Sequence, residues 1–343
     1  MGDTTASNPI GPGYLALCRD VEAAEHMPQH VMSLHERVQA ARERLAACDL
    51  CPRACGVNRL QGETGFCGAG LLARVASANI HPWEEPPISG TRGSGTVFFS
   101  YCTAHCLFCQ NYPISQMGVG REMTTEQLAE AMLKLQRLGC HNINLVTPTH
   151  YVPQILAAVE VAAEQGLRLP LLYNTSGYDS VETLQLLEGV IDIYLPDAKY
   201  ADDAVARELS GYRNYVAHNR AALLEMHRQV GTDLLLDEEG IARRGMIVRH
   251  LVLPHGLSQT PEVLRWLAEN LSPKIHVSLM AQYFPAHKAV GHPQLSRRLL
   301  AEEYDGALNA LEQAGLENGW QQELDCDEAE DDPTECSLPQ DMR

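Results

Sequence analysis

Short apolar runs alternate with amphipathic segments along most of the chain, and this alternation predicts an α/β fold. Six nearly continuous apolar runs predict buried strands at 95–100, 143–146, 169–173, 191–195, 246–253 and 275–280. Apolar residues at helical spacing predict helices at 30–47, 124–138, 152–165, 180–187, 202–209, 214–229, 261–270 and 302–313. Strands that alternate with helices form parallel sheets, because each parallel pair needs a crossover connection. An open doubly wound sheet and a full or partial barrel both fit the pattern.

Polar residues follow each of the six predicted strands directly. They are Cys102, Cys106 and Cys109; Thr147 to His150; Asn174 to Ser176; Asp197 and Lys199; His255; and Gln282 and Tyr283. The carboxyl ends of parallel strands meet at one edge of a sheet, and α/β folds bind their ligands there. We therefore expect these side chains to line one site at the mouth of a barrel.

Composition and charge exclude some classes of function for this chain. The chain has 343 residues, 45% of them hydrophobic, and a formal net charge of −18. Such an acidic protein is a poor candidate for nucleic-acid binding, which needs a cationic surface. The sequence has no apolar run of about 20 residues and no basic segment leading into an apolar one at its start, so neither a membrane span nor a secretory signal is expected.

Eleven cysteines are the most informative feature of the composition, and seven of them fall between residues 48 and 109. An odd number of cysteines in a long chain without an export signal favours metal or redox chemistry over a disulfide scaffold. We therefore expect a reducing, cytoplasmic location.

The first cysteine group lies among turn residues. Cys48, Cys51, Cys55 and Cys67 place four thiols within 20 residues. Four soft ligands suit either zinc or an iron–sulfur cluster, and spacing alone does not choose between them or exclude thiols without metal. The group is a candidate second metal site.

The second cysteine group follows the first predicted strand, in the segment YCTAHCLFCQN (residues 101–111). Cys102, Cys106 and Cys109 have the spacing Cys-x3-Cys-x2-Cys, so three thiolates on one loop can hold one metal centre. A [4Fe–4S] cluster takes four protein thiolates as a rule, and three leave one iron open to another ligand. A zinc knuckle and buried structural thiols are the simpler alternatives.

This cysteine motif, with the aromatic Phe108 before its last cysteine, resembles the radical SAM superfamily. Residues 48–67 and 86–115 resemble a little-characterised subgroup related to pyruvate formate-lyase activating enzymes. The resemblance implies a partial (β/α)6 TIM-like barrel with an N-terminal helical, Cys-rich extension. It also implies a [4Fe–4S] cluster on the three cysteines and S-adenosylmethionine (SAM) as its ligand.

The same resemblance implies further cofactor-binding residues, matched one by one. They are Phe108, Asn174, Thr175, Ser176, Asp197, Lys199 and Arg249. Lys199, in the segment Asp197-Ala198-Lys199, matches a lysine that reaches SAM. One departure stands out, because Thr147-Pro148-Thr149-His150 replaces the Gly-Gly-Glu type of motif that holds the SAM amino group.

The segment from His81 to Pro87 precedes the cluster strand and contains Trp83, Glu84 and Glu85. It is either a packed linker anchored by Trp83 or a flap over the barrel mouth. In the second case Glu84 and Glu85 would contact a cationic substrate.

The resulting prediction is a radical SAM oxidoreductase that makes a 5′-deoxyadenosyl radical, which abstracts hydrogen from a substrate. The substrate could be a partner protein, as in glycyl-radical enzyme activation, and flavodoxin or ferredoxin could supply the electron. A non-catalytic iron–sulfur or zinc protein for electron transfer or scaffolding is the alternative. We expect four parts: a partly helical extension (1–47), a Cys-rich metal-binding segment and linker (48–92), the radical SAM core (93–320) and an acidic, disordered tail (321–343).

Overall fold

The computed structural model describes residues 11–18 and 32–324. The predictions for residues 325–343, most of the acidic tail, lie outside this range. The strands are β1 (Ala73–His81), β2 (Ser94–Phe99), β3 (Arg121–Met123), β4 (Ile143–Val146), β5 (Leu171–Thr175), β6 (Ile193–Pro196), β7 (Leu235–Leu236), β8 (Ala242–Leu251), β9 (His276–Met280) and β10 (Gly319–Gln321). The helices are α1 (Tyr14–Leu17), α2 (Leu34–Glu43), α3 (Pro86–Ser89), α4 (Tyr112–Ser115), α5 (Thr125–Arg137), α6 (Val152–Glu164), α7 (Val181–Leu186), α8 (Asp203–Ser210), α9 (Tyr215–Val230), α10 (Thr260–Asn270) and α11 (Ala301–Gln313).

One sheet organises the molecule, with the strand order β10-β9-β8-β6-β5-β4-β2-β1-β3. All neighbours from β10 to β2 pair in parallel, and they include the six predicted strands. In the described part of the chain β10 and β3 end the sheet, which is therefore open. The partial (β/α)6 barrel expected from the sequence is confirmed.

The parallel strands are buried on both faces, which explains their nearly continuous apolar sequence. Val97, Leu145, Leu172 and Ile193 are fully buried. Helices cover the outside of the sheet, and their starts follow local signals. Thr124, for example, caps α5 in a capping box with Gln127.

The antiparallel strands at one end of the sheet are not predicted by the apolar pattern of the sequence. β1 pairs antiparallel with β2, so that His81 lies opposite Ser94, and β3 pairs antiparallel with β1. Only Ala73 and Val75 of β1 are buried, so the strand lacks a sustained apolar pattern. Part of the expected Cys-rich segment and linker is therefore a strand of the sheet, between β2 and β3.

The described part of the N-terminal extension packs on the barrel. Tyr14 is buried, and its hydroxyl donates to the carbonyl of Leu169 at 3.1 Å. The backbone N–H of Gly13 donates to Asp192 Oδ1 at 2.8 Å. No helix in the described ranges is both long and apolar enough to cross a bilayer.

Asp192 gives a pH dependence to this anchor. Burial raises the pKa of its carboxyl from 3.8 to about 6, so the folded state holds this proton more tightly than the unfolded state. The stability that follows is present below the unfolded pKa and is lost as the pH rises through the folded one. Relative to Asp192→Asn, the wild-type protein should lose about 2 kcal/mol of unfolding free energy between about pH 4.5 and 7.5.

Urea unfolding of both proteins across this pH range measures the effect. The Asn side chain does not titrate, so the variant is the reference. A difference between the two proteins that stays constant with pH would contradict the prediction.

Candidate metal and cofactor site

The second cysteine group occupies the loop that leaves the carboxyl end of β2. Tyr101 has φ 70°, a left-handed conformation unusual for a bulky residue, and it turns the chain out of the strand just before Cys102. The loop then rests on the end of α8. The N–H of His105 donates to the carbonyl of Ser210 at 3.0 Å, and that of Leu107 to Leu209 at 2.8 Å.

The three thiols of this loop are partly buried and close to one another. Burial, followed by the neighbouring Cys106 and Cys109, raises the pKa of the Cys102 thiol to about 12. Its sulfur accepts from the N–H of Ala104 at 3.4 Å, and Cys109 Sγ lies 3.1 Å from Ser115 Oγ. Thiols with a raised pKa stay protonated at neutral pH, and they lose their protons when their sulfur atoms bind a metal. The donor set fits an iron–sulfur cluster.

Asp197 and Lys199 lie beside the cysteine loop. Their side chains form an ion pair at 2.5 Å, and each is 18% exposed. Burial opposes the charge of Lys199, but the nearby Asp197 and Cys106 raise its pKa above the ordinary value. A lysine cation is therefore held at the cysteine loop, where it can receive a carboxylate.

Tyr215 connects this ion pair to the loop after β5. Its hydroxyl accepts from the N–H of Lys199 at 3.0 Å and donates to the carbonyl of Ser176 at 3.2 Å. The structure thus brings Asn174, Thr175 and Ser176 to the same edge as Lys199.

A buried carboxylate joins the loops after β4 and β5. Asp179 accepts from the hydroxyls of Thr149 and Thr175, both at 2.7 Å, and from Tyr173 at 2.9 Å. Burial raises the pKa of Asp179. Thr147, at the start of the β4 loop, has φ 58°. A β-branched residue in this conformation is strained, and such strain persists only where the surroundings enforce it.

The side chains of Phe108 and Arg249 take no part in these contacts. Phe108 is buried, with its ring edge-on to Tyr283 at 5.8 Å. Arg249 belongs to β8, and its guanidinium binds Glu84 and, at 2.7 Å, Glu85. The roles of both residues in SAM binding stay predictions.

The segment that holds these two glutamates differs from both expectations. His81 pairs with Ser94, the first residue of β2, so the following loop lies at the amino end of the parallel strands, opposite the cysteines. Glu84 and Glu85 reach inward to Arg249, whereas Trp83 is 62% exposed. The loop is neither a flap over the mouth nor anchored by its tryptophan, because the partly buried Arg249 attracts the two carboxylates.

The first cysteine group surrounds one cavity. Its lining comprises Cys48, Leu50, Cys51, Arg53, Cys55, Arg59, Gly65, Cys67 and His150. Cys51 is buried and Cys55 is exposed. Burial, more than its cysteine neighbours, raises the pKa of Cys67. All four thiols therefore share one small, partly desolvated space.

Arg53 joins the two cysteine groups. Its guanidinium donates to the carbonyls of Thr103 at 2.6 Å and Gly211 at 2.8 Å, and stacks over the Phe66 ring at 3.3 Å. On its other side Phe66 stacks on His105 at 4.2 Å. The first group is thereby fixed against the loop of the second.

Within the described residues, no three His, Cys, Asp or Glu side chains are arranged to hold a single metal ion. This holds for both cysteine groups. In an iron–sulfur cluster each cysteine binds a different iron, so its ligands need not converge on one point.

The sequence pattern does not indicate Tyr215, Asp179 or Phe66 as parts of the site, and it suggests Arg53 only as a residue that lines a substrate entrance or solvates its loop. Tyr215 and Asp179 belong to no motif with its own spacing, and Arg53 and Phe66 lie among the cysteines of the first group. The one available signal was the density of tyrosines between residues 178 and 215, where Tyr178, Tyr200, Tyr212 and Tyr215 form an aromatic cluster under the cysteine loop.

Comparisons with known proteins agree with this geometry. The family model of the radical SAM superfamily matches residues 96–237. An uncharacterised protein of Methanocaldococcus jannaschii is 30% identical over 87% of this chain and 83% of its own length. The pyruvate formate-lyase-activating enzyme of Clostridium pasteurianum is 25% identical over 62% of this chain and 84% of its own.

Two solved structures are also similar to this chain. A radical SAM methyltransferase from Sphaerobacter thermophilus has a TM-score of 0.43 and 19% identity, over 66% of this chain and 65% of its own. A maturase of the [FeFe]-hydrogenase has a TM-score of 0.47 and 11% identity, over 90% of this chain and 62% of its own.

The open parallel barrel and the three-cysteine loop at its carboxyl edge define an α/β protein with a candidate metal site at that edge. The matched family model and the 30% identical relative then show that the chain belongs to the radical SAM superfamily. Membership implies SAM cleavage at an iron–sulfur cluster.

Arg249 yields a stability prediction. Arg249→Met leaves two carboxylates buried without their cation, and should lower the unfolding free energy by about 3–5 kcal/mol. Adding Glu84→Gln and Glu85→Gln should recover part of the loss. Urea unfolding at neutral pH measures both changes.

Arg243→Met is the matched control. Its pair with Asp237 is more exposed, at 31% and 22%, so its loss should stay below about 1 kcal/mol. Equal losses for the two arginine variants would show that Arg249 holds no buried charge.

Proposed function

We propose that this chain cleaves SAM reductively at a [4Fe–4S] cluster held by Cys102, Cys106 and Cys109. The observation that carries the proposal is the position of three mutually close thiols beside the Asp197–Lys199 pair. Both lie at the carboxyl edge of a parallel barrel, where such folds place their chemistry. Membership of the radical SAM superfamily supports it independently.

The residues of the chain would bind and orient the cofactor. When bound, the cluster and SAM supply a 5′-deoxyadenosyl radical able to abstract hydrogen. Lys199 would receive the SAM carboxylate. Asn174, Thr175 and Ser176, at the carboxyl end of β5, would offer polar groups along the same edge. The aromatic cluster beneath the cysteines would keep water away from the reacting centre.

The substrate class rests on similarity. The match to the pyruvate formate-lyase-activating enzyme of Clostridium pasteurianum supports a protein substrate, with hydrogen abstracted from its backbone. Such a reaction needs one external electron, which flavodoxin or ferredoxin could deliver. The cytoplasm would suit these partners and the free thiols.

The first cysteine group would hold a second iron–sulfur cluster. Four thiols share one cavity, and Arg53 fixes that cavity against the SAM-cluster loop. Thiolates are the ligands that iron–sulfur clusters take, and zinc is the competing metal for the same donor set.

The link through Arg53 also favours the alternative role. Arg53 connects the segments that carry the two cysteine groups, so metal centres on these segments could pass electrons without cleaving SAM. An electron carrier of this kind needs no SAM pocket, so SAM cleavage separates the two functions.

The first test follows SAM itself. The protein, reconstituted anaerobically with iron and sulfide, should release 5′-deoxyadenosine from SAM after dithionite is added, and Cys106→Ala should release none above background. Chromatography with mass detection measures the product. Cys140→Ala, a buried cysteine outside both groups, is the control and should keep wild-type activity.

A reconstituted protein that holds its cluster yet leaves SAM intact would overturn the proposal. The electron-carrier role would then lead, and the Thr147–His150 loop would be the first place to look for the cause.

Iron content tests the second cluster. Replacing Cys102, Cys106 and Cys109 together by Ala should reduce the iron from roughly eight to about four atoms per chain, because only one cluster is lost. Adding Cys51→Ala should remove the remainder. Elemental analysis that finds zinc in place of the residual iron would contradict the second cluster.

A further inference from the structure

His150 has one ring nitrogen without a hydrogen-bond partner in the described part of the chain. The residue lies in the 3-10 turn after β4 and is 2% exposed. Nε2 lies 2.9 Å from the carbonyl oxygen of Ser100. A carbonyl only accepts, so Nε2 carries the hydrogen and Nδ1 presents a bare lone pair. Nδ1 has no hydrogen-bond partner among the described residues.

Such an atom is costly in a folded protein. A buried acceptor without a partner destabilises by about 1–3 kcal/mol, and native structures rarely keep one without a reason. The ring is nevertheless held firmly. Its backbone carbonyl accepts from Arg59 Nη1 at 2.7 Å, and the ring packs against Tyr151 at 4.3 Å.

The cavity that His150 lines is the one around the first cysteine group. His150 is the sole residue of that lining contributed by the barrel core, since the others lie between residues 48 and 67. A metal-binding histidine usually donates its other ring N–H to a carbonyl or carboxylate, which fixes the tautomer. The Ser100 carbonyl provides that second contact.

We propose that His150 Nδ1 is a ligand of the second metal centre, together with Cys48, Cys51 and Cys67. This inference rests on the second cluster proposed above. A [4Fe–4S] cluster takes four protein ligands, so one cysteine of the group is left over. Cys55 is that cysteine, because it alone of the four is exposed. One ligand then comes from the loop that replaces the Gly-Gly-Glu type of motif.

Metal binding by His150 would also connect the two metal centres. Ser100 directly precedes the SAM-cluster loop, and it accepts from the same ring that would bind the second metal. A change of charge at the second centre would thus reach the start of the first loop through one imidazole.

Pulsed electron paramagnetic resonance tests the proposal on the full chain with Cys102, Cys106 and Cys109 replaced by Ala. This protein retains only the second centre and is reconstituted with iron and sulfide, then reduced. We expect a histidine nitrogen coupling to the cluster, identified by its change in frequency when ¹⁵N-histidine replaces unlabelled histidine. The ¹⁵N label changes no contact in the protein, so this measurement needs no substituted residue as a control.

His150→Ala should remove the coupling, and His150→Cys should remove it while keeping the iron. His276→Ala is the matched control, since His276 Nδ1 is likewise buried without a hydrogen-bond partner among the described residues but lies in β9, outside this cavity, and it should keep the coupling. Cys55→Ala should keep both the iron and the coupling.

Three results would overturn the proposal: a cluster without histidine coupling, a coupling that survives in His150→Ala, or loss of the cluster in Cys55→Ala. A protein without any iron would show that the second cluster itself does not form, and His150 would lose its role with it. SAM cleavage at the first centre is measured separately and would stand.

Discussion

Parallel pairing of β2, β4, β5, β6, β8 and β9 positions the candidate site. Parallel register sends every strand toward the same edge, so loops distant in sequence leave the sheet side by side. Cys102, Thr149, Thr175 and Lys199 become neighbours for this reason alone. Left-handed turns at Tyr101 and Thr147 then bend two of these loops sharply as they leave their strands.

The site is held together by groups that are not themselves candidate metal or cofactor ligands. Asp179 joins the loops after β4 and β5 through three hydroxyl donors, and Tyr215 joins the β5 loop to Lys199. Arg53 joins the first cysteine group to the second by donating to the backbone carbonyls of Thr103, in the cysteine loop, and of Gly211, after α8. Backbone carbonyls accept from any suitably placed donor, which is why such links leave little trace in a sequence.

Charged side chains from the loop at the amino end of the barrel are buried, away from the cysteine loops. Glu84, Glu85 and Arg249 leave one net negative charge inside, and Asn144 donates to Glu84 at 2.8 Å to help compensate it. Closing that end with carboxylates fixes Arg249 in β8, next to the backbone of Asp197. The amino end of the barrel thereby supports a strand that leads to the candidate cofactor edge.

The α/β class, the six parallel strands and the two cysteine groups can be predicted from the amino-acid sequence, because burial on both strand faces and thiol spacing leave local patterns. The antiparallel strand β1 cannot, since its two buried residues form no such pattern. The direction of Glu84 and Glu85, the contacts of Tyr215 and Arg53, and the surroundings of His150 Nδ1 are visible only in the folded chain. Each of these features depends on residues that are distant in sequence. In a buried environment, water is excluded, so only such neighbouring groups can neutralise a charge or complete a hydrogen bond.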